Sequence, residues 1–143
     1  MAEPLRKYFD LTDQEAVAAP RRQSPAYETY RLLQFLFVVA PIIAGLDKFF
    51  HLLVNWDQYL APIVTRVIPV APHTFMLGVG VVEIVAGIGV ALVPQVFGYV
   101  VAAWLAGIIV NLLLIPGYFD IALRDFGLAV SAFALARLAR RLR

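Results

Sequence analysis

The sequence predicts an all-α integral membrane protein, a four-helix bundle whose chain crosses the bilayer four times. Hydrophobic residues make up 62% of the 143 residues and charged residues 15%, whereas soluble domains average about 45–50% apolar and about 25% charged residues. After residue 29 the chain becomes a series of apolar stretches near 20 residues long. Because a helix of about 20 residues spans a hydrocarbon core of about 30 Å, these stretches predict membrane spans.

Residues 1–29 are predicted to form a polar arm, and residues 30–143 the membrane domain. Thr12 and Glu15 fit the capping box of a short surface helix within the arm. We expect no cleavable signal peptide, because the first apolar stretch is long enough to be a span itself. The chain has no cysteine, which excludes disulfides, iron–sulfur clusters and thiol catalysis. The formal charge of +2 does not indicate a nucleic acid partner, because the arginines sit at the ends of the spans.

Proline and glycine residues separate the predicted spans from one another. Pro94 and the pair Pro116-Gly117 mark tight turns, so the last three spans are expected to be consecutive antiparallel neighbours. Pro41 predicts a kink in the first span. The four predicted spans cover about residues 30–50, 74–93, 96–115 and 118–138.

The segment from His51 to Pro72 joins the first two spans. It is too interrupted to cross the membrane and too apolar to extend freely into water. Its apolar and aromatic residues, among them Trp56 and Tyr59, predict a short helix that lies in the membrane interface.

The positions of lysine and arginine predict the orientation of the spans. With four crossings both termini share one side, which then carries nine positive residues, against three on the other side. Cytoplasmic segments are enriched in lysine and arginine. Both termini are therefore predicted to be cytoplasmic, and the His51–Pro72 segment is predicted to face outward.

Small residues recur on one face of each of the first three spans. The hydrophobic effect does not drive helices together in lipid, so helix association depends on close packing along faces of small residues. Polar residues lie on the same faces and are predicted to point into the bundle. These faces are formed by Ala40, Ala44, Lys48 and His51 in the first span, Gly80, Glu83 and Gly87 in the second, and Ala103, Gly107 and Asn111 in the third.

Ionisable residues within or beside the spans are the candidates for function, since burying a charge in a membrane requires compensation. The predicted orientation places them in the outer half of the bundle, with Glu83 deepest, about 15 Å into its span. We predict that at least one carboxyl group, first of all Glu83, stays protonated or binds a donor such as a quinol hydroxyl. The candidates for a proton path or quinone pocket are Glu83, Lys48, Asp47, Arg124, Asp125 and Asp120, together with the amide of Asn111.

Structural interpretations compete with these functional ones. Asp120 lies one helical turn before Arg124, which is the spacing of an intrahelical ion pair. Asp47 and Lys48 lie near enough to the interface to snorkel into it. Asp125 is rotated by about 100° from Arg124 around the helix, so the two side chains face in different directions. Asp125 is therefore a candidate partner for Lys48 on another helix.

Asn111 either forms a hydrogen bond between helices or acts as a ligand. No catalytic residue can be assigned. The two histidines, His51 and His73, lie at outer span ends. A haem or copper site between them is one interpretation, but no third ligand is evident, and we expect neither a metal site nor a covalently held cofactor.

Three short motifs resemble those of the DoxX-like family of small four-span bacterial membrane proteins. The resemblance covers about Leu33 to Leu138. It rests on Phe37 through Ala44-Gly45-Leu46-Asp47-Lys48, on Gly80-x-x-Glu83-x-x-x-Gly87, and on Tyr118-Phe119-Asp120-Ile121-Ala122-Leu123-Arg124-Asp125.

The family includes the membrane subunit of thiosulfate:quinone oxidoreductase. The resemblance therefore implies a multi-pass protein of the bacterial inner membrane with a quinone-linked role for Lys48, Glu83, Arg124 and Asp125. The favoured function is a subunit of a redox or respiratory assembly that contributes to a quinone pocket or proton path. The expected partners are the lipid bilayer and other membrane subunits. A purely structural accessory subunit and a small transporter or channel are the alternatives, and a complete enzyme in this chain alone is not expected.

Overall fold

The computed structural model describes residues 24–142, and the regular secondary structure of this range is entirely helical. Most of the predicted arm, including the capping box at Thr12, lies outside the described residues. The α-helices are α1 (Pro25–Phe50), α2 (Pro62–Val67), α3 (Pro72–Leu92), α4 (Pro94–Leu113) and α5 (Phe119–Leu142), and a 3₁₀-helix (Trp56–Tyr59) precedes α2.

Proline in the first turn marks the start of most of these helices. Pro25, Pro62, Pro72 and Pro94 each stand where the missing backbone N–H costs no hydrogen bond and the fixed φ already suits a helix. Ser24 also caps α1, because its side chain accepts a hydrogen bond from the backbone N–H of Tyr27 at 3.2 Å. The first helix therefore begins five residues before the predicted span, which was placed by hydropathy alone.

Three of the helices, α1, α3 and α4, are long and apolar enough to cross a membrane. They coincide with the first three predicted spans to within a few residues, except for the early start of α1. The fourth predicted span corresponds to α5, whose 24 residues include charged side chains near both ends. The crossing of the bilayer by α5 stays a prediction.

The four long helices are associated as two close pairs. The most extensive contacts join α1 to α3 and α4 to α5, and smaller contacts join α1 to α5 and α3 to α4. Where α4 passes α5, a methyl group added at Gly98 would lie 2.8 Å from the Cβ of Ala136. A glycine is therefore required at this crossing.

The two ends of the helix assembly differ in packing. Buried side chains of all four long helices, among them Phe37, Val90, Val101 and Leu135, form a continuous apolar core. These residues come from the first half of α1, the second half of α3, the first half of α4 and the second half of α5. We call this the core end. The remaining half of each helix surrounds a cavity, and we call that half the cavity end.

The predicted small-residue faces are confirmed in part. An added Cβ at Gly80 would lie 2.7 Å from the carbonyl oxygen of Gly45, and one at Gly87 would lie 2.7 Å from Ile42, so both glycines pack against α1. Gly107 instead lines the cavity and has no neighbour within 4 Å of an added Cβ. Ala40 is exposed, so its predicted inward position is wrong. The partner on α1 is Gly45, one position beyond the predicted face.

The segment between α1 and α3 contains two short helices instead of the predicted single one. Trp56 and Tyr59 turn toward the cavity, while Leu52 and Leu53 are 85% and 68% exposed. The segment therefore covers the cavity end with its aromatic residues. Its predicted location in the membrane interface stays a prediction.

Candidate functional site

The candidate site is a partly open cavity of about 680 Å³ lined by the four long helices and the connecting segment. Apolar and aromatic side chains form most of its wall. Five of the seven predicted polar candidates also line it, namely Lys48, Glu83, Asn111, Arg124 and Asp125. The structure thus brings together residues that lie far apart in the sequence, as the predicted antiparallel arrangement requires.

Lys48 and Glu83 form an ion pair in the wall of the cavity. The Nζ atom of Lys48 lies 2.6 Å from Oε2 of Glu83, and the two side chains are 4% and 12% exposed. A charge-assisted hydrogen bond of this length is strong. It also joins α1 to α3 next to the Gly45–Gly80 contact, so the close approach of these two helices sets the distance between the charged groups.

Lys48 has a second neighbour in the ring of Trp56, whose centroid lies 3.9 Å from Nζ. The face of an indole ring attracts a cation, and this attraction strengthens when the cation is removed from water. Since Lys48 is 3% exposed, the pairing with Glu83 and the indole face replace its hydration. The expected snorkelling of Lys48 to the interface is therefore wrong.

Asp47 is also buried, at 6% exposure, and its carboxylate organises the connecting segment. It accepts hydrogen bonds from the backbone N–H groups of Leu52 at 2.8 Å and Leu53 at 3.1 Å, and from Nε1 of Trp56 at 2.7 Å. Three donors satisfy the carboxylate without water. Asp47 therefore does not snorkel either, and its contacts orient the indole ring that faces Lys48.

Asn111 fixes the other part of the connecting segment. Its Oδ1 accepts a hydrogen bond from the backbone N–H of Ala61 at 2.9 Å, and its Nδ2 donates to the carbonyl oxygen of Tyr59 at 2.6 Å. The amide thus joins α4 to the segment between the 3₁₀-helix and α2. Of the two predicted roles the structure shows a structural contact, made with backbone groups instead of a neighbouring long helix.

The charged residues of α5 are arranged differently from the prediction. Within residues 24–142, the ion pairs are Lys48–Glu83 and His73–Asp57. The predicted pair of Asp120 with Arg124 is not formed, and both of these side chains are exposed. Asp125 does not pair with Lys48. It lines the cavity, close enough to Glu83 for their charges to interact.

The two histidines meet each other at the cavity end. Their rings are stacked, with centroids 5.2 Å apart and an angle of 29° between the ring planes. Nδ1 of His73 lies 3.3 Å from Oδ2 of Asp57. Asp57, from the 3₁₀-helix of the connecting segment, therefore lies beside the two histidines as a third potential metal ligand, which the sequence did not reveal.

Sequence reasoning missed two other residues of the site. Trp104 lines the cavity, and its buried Nε1–H has no hydrogen-bond partner. Trp56 was assigned to the interface, although it also lines the cavity. Tryptophan is common in apolar membrane sequence, so only the fold could have distinguished these positions.

No protein-family model matches the chain, and comparisons with curated proteins and with solved structures found no match. The resemblance to the DoxX-like family stays a prediction from the three short motifs.

Proposed function

We propose that the chain is a four-span subunit of a redox or respiratory assembly in the bacterial inner membrane, and that its cavity binds a quinone. The observation that carries the proposal is the composition of the cavity wall, in which the Lys48–Glu83 ion pair stands among apolar and aromatic side chains. Ligand sites of about 300–1,000 Å³ with few polar groups in an apolar wall are typical of small-molecule binding.

The exposed face of α5 supports a fourth crossing. Leu123, Phe126, Val130 and Phe133 follow one another at helical spacing and are between 51% and 74% exposed. An apolar face this large is unfavourable in water and favourable against lipid. A fourth span returns the chain to its starting side, so that both termini lie on one side of the membrane. Because most of the lysines and arginines adjoin the termini, that side is the cytoplasmic one.

The chemistry of a quinone fits the polar groups of the cavity. A quinone presents a flat apolar ring with two carbonyl oxygens, and these oxygens accept hydrogen bonds. Nε1 of Trp104 is a buried donor without a partner, and Lys48 is a second donor in the same wall. A buried unpaired donor costs about 1–3 kcal/mol, so a ligand oxygen at Trp104 would relieve that cost.

Reduction of a quinone to a quinol consumes two electrons and two protons. Glu83 and Asp125 both line the cavity, and in their protonated forms each would donate one of the two protons to the bound ligand. Lys48 would then stabilise the Glu83 carboxylate that is left. The electrons would come from a redox cofactor held by another subunit, because this chain has no cysteine to hold an iron–sulfur cluster. This arrangement makes the chain a contributor to the reaction rather than a complete enzyme.

Tryptophan fluorescence tests the proposed binding directly, because both tryptophans of the chain line the cavity. Titration of the purified protein in detergent with decylubiquinone or a menaquinone analogue should quench this fluorescence saturably. Quenching that rises linearly with quinone concentration, as for free tryptophan in the same micelles, would contradict the proposal.

Two glycine variants form a matched pair for this titration. Gly107→Leu should fill part of the cavity and weaken binding at least about 10-fold, equivalent to about 1.4 kcal/mol. Gly78→Leu is the control, since neither glycine has an atom within 4 Å of an added Cβ and only Gly107 lines the cavity. Equal affinities in the two variants would place the quinone elsewhere.

Glu83→Gln tests the role of the carboxyl group in the assembled complex. The change keeps the shape of the side chain and an oxygen acceptor for Lys48, but it removes the exchangeable proton. Electron transfer per assembled complex should fall while the amount of complex stays unchanged. Infrared titration of the carboxyl band tests the prediction that Glu83 stays protonated or binds a donor such as a quinol hydroxyl.

A purely structural accessory subunit is the second candidate. It is favoured by the satisfied contacts of Asp47 and Asn111, which bind backbone groups of the connecting segment. Under this function Glu83→Gln would reduce assembly and leave turnover per complex unchanged. Purification in mild detergent followed by mass spectrometry would identify partner subunits and lipids. Flux of a solute or an ion into liposomes that contain the protein alone would instead indicate a transporter.

A further inference from the structure

Three potential metal ligands converge where the connecting segment begins and ends. His51 is the C-terminal cap of α1, Asp57 belongs to the 3₁₀-helix, and His73 is the second residue of α3. One ligand atom from each side chain lies within 4.8 Å of the others. The three come from separate elements, so their convergence is a product of the fold and not of local spacing.

Two atoms of this cluster are buried without a hydrogen-bond partner. They are Nδ1 of His51 and Oδ1 of Asp57. Leaving a buried polar atom unpaired costs about 1–3 kcal/mol, and more if it is charged. A cation bound through Nδ1 of His51 and Oδ1 of Asp57 would satisfy both atoms, whereas the contact between His73 and Asp57 engages only the other carboxylate oxygen.

We propose that His51, Asp57 and His73 bind a divalent transition metal ion of the zinc class. Imidazole nitrogen and carboxylate oxygen are ligands of such ions, whereas calcium and magnesium prefer oxygen ligands alone. On a tetrahedral ion with bonds of about 2.0–2.1 Å, neighbouring ligand atoms are about 3.3 Å apart. The ligand atoms lie within 4.8 Å of one another, so binding requires them to approach by at most about 1.5 Å.

The proposed ion has a structural consequence for the cavity. It links the end of α1 to the start of α3 across residues 51–73, the segment that carries Trp56 and Tyr59 over the cavity. With three protein ligands, the fourth position of a tetrahedral ion is left for water. The ion would stabilise the segment in its position over the cavity, whether or not the cavity binds a quinone.

Zinc binding to the full chain tests the proposal. The protein is purified with a tag that contains no histidine, treated with chelator and titrated with Zn²⁺ by calorimetry at pH 7.5. One ion per chain is expected, and His73→Asn and Asp57→Asn should each weaken binding at least about 10-fold, since the first removes an imidazole ligand and the second a charged one. Glu28→Gln, which alters an exposed carboxylate on α1, is the matched control and should bind zinc as the unaltered chain does.

A spectroscopic measurement keeps the test decisive if a variant fails to fold. The chain contains only two histidines and no cysteine. The electron paramagnetic resonance spectrum of the unaltered protein with Cu²⁺ should therefore show coupling to two imidazole nitrogens. The proposal is overturned by a spectrum without imidazole nitrogen, by less than one ion per chain at saturation, or by a folded His73→Asn variant that retains full affinity.

Discussion

The contact between Gly45 and Gly80 offers the most direct test of how α1 and α3 position the site. An alanine at position 45 would place its Cβ 2.5 Å from the carbonyl oxygen of Gly80 and 2.8 Å from Cγ1 of Ile84. The first distance is about 0.9 Å shorter than the 3.4 Å at which ordinary contact begins. Because the obstructing oxygen belongs to the backbone of α3, it cannot rotate away, and the two helices must separate.

The expected cost of Gly45→Ala follows from this overlap. Overpacking of a close interface typically destabilises a protein by about 1–3 kcal/mol. Separating the helices by several tenths of an ångström also lengthens the contact between Lys48 and Glu83, now 2.6 Å, so the proposed quinone binding should weaken together with stability.

Unfolding by sodium dodecyl sulfate in mixed micelles, followed by tryptophan fluorescence, measures this free energy. Gly78→Ala is the matched control, because an added Cβ there meets nothing within 4 Å. It should leave the free energy of unfolding unchanged or raise it by up to about 1 kcal/mol, the difference between glycine and alanine in a helix. If Gly45→Ala unfolds within about 0.5 kcal/mol of the unaltered protein, as a surface substitution would, the close approach of α1 and α3 is refuted.

Three further changes probe the contacts around the cavity and at the core end. Asn111→Leu should cost about 1–3 kcal/mol in the same assay, because it leaves the backbone N–H of the fully buried Ala61 without its acceptor; an unchanged free energy would show that water replaces the amide. Trp56→Phe should lower the free energy of unfolding by about 1.5–3 kcal/mol through loss of the hydrogen bond to Asp47. Trp56→Ala should lower it further, and the difference between the two variants measures the contribution of the ring. Gln34→Leu removes a donor to two backbone carbonyls at the end of α3 and should lower stability by about 1 kcal/mol. Because Gln34 lies at the core end, the change should leave the proposed quinone binding unaltered, and a change in affinity would contradict the separation of the two ends.

The positions of the helices could be predicted from hydropathy and from proline. Runs of about 20 apolar residues and the turn at Pro94 locate α3 and α4 to within two residues. Hydropathy also located α5, but its charged ends keep it outside the set of helices apolar enough to span a membrane by composition. The exposed apolar face, visible once the helices are packed, adds support for the proposed crossing.

Partner choice within the site could not be predicted, because spacing along a helix gives the face of a residue but not the rotation of one helix against another. The sequence therefore grouped Lys48, Glu83 and Asp125 correctly near one cavity, yet it paired Lys48 with Asp125 instead of Glu83. The path of the connecting segment could not be predicted from the sequence either. No periodicity indicates that Trp56 turns inward or that Asp57 meets the two histidines.

The uneven packing of the two ends has a consequence for motion. Elements with few buried apolar contacts open locally at a lower free energy than tightly packed ones. The core end, with Val90 and Leu135 fully buried, should act as a fixed base from which the opposite halves of the helices open and reclose. Amide hydrogen exchange should be slowest around Val90 and Leu135 and faster in residues 51–73. A molecule dissolved in the bilayer could then enter sideways between the two helix pairs, without passing through water.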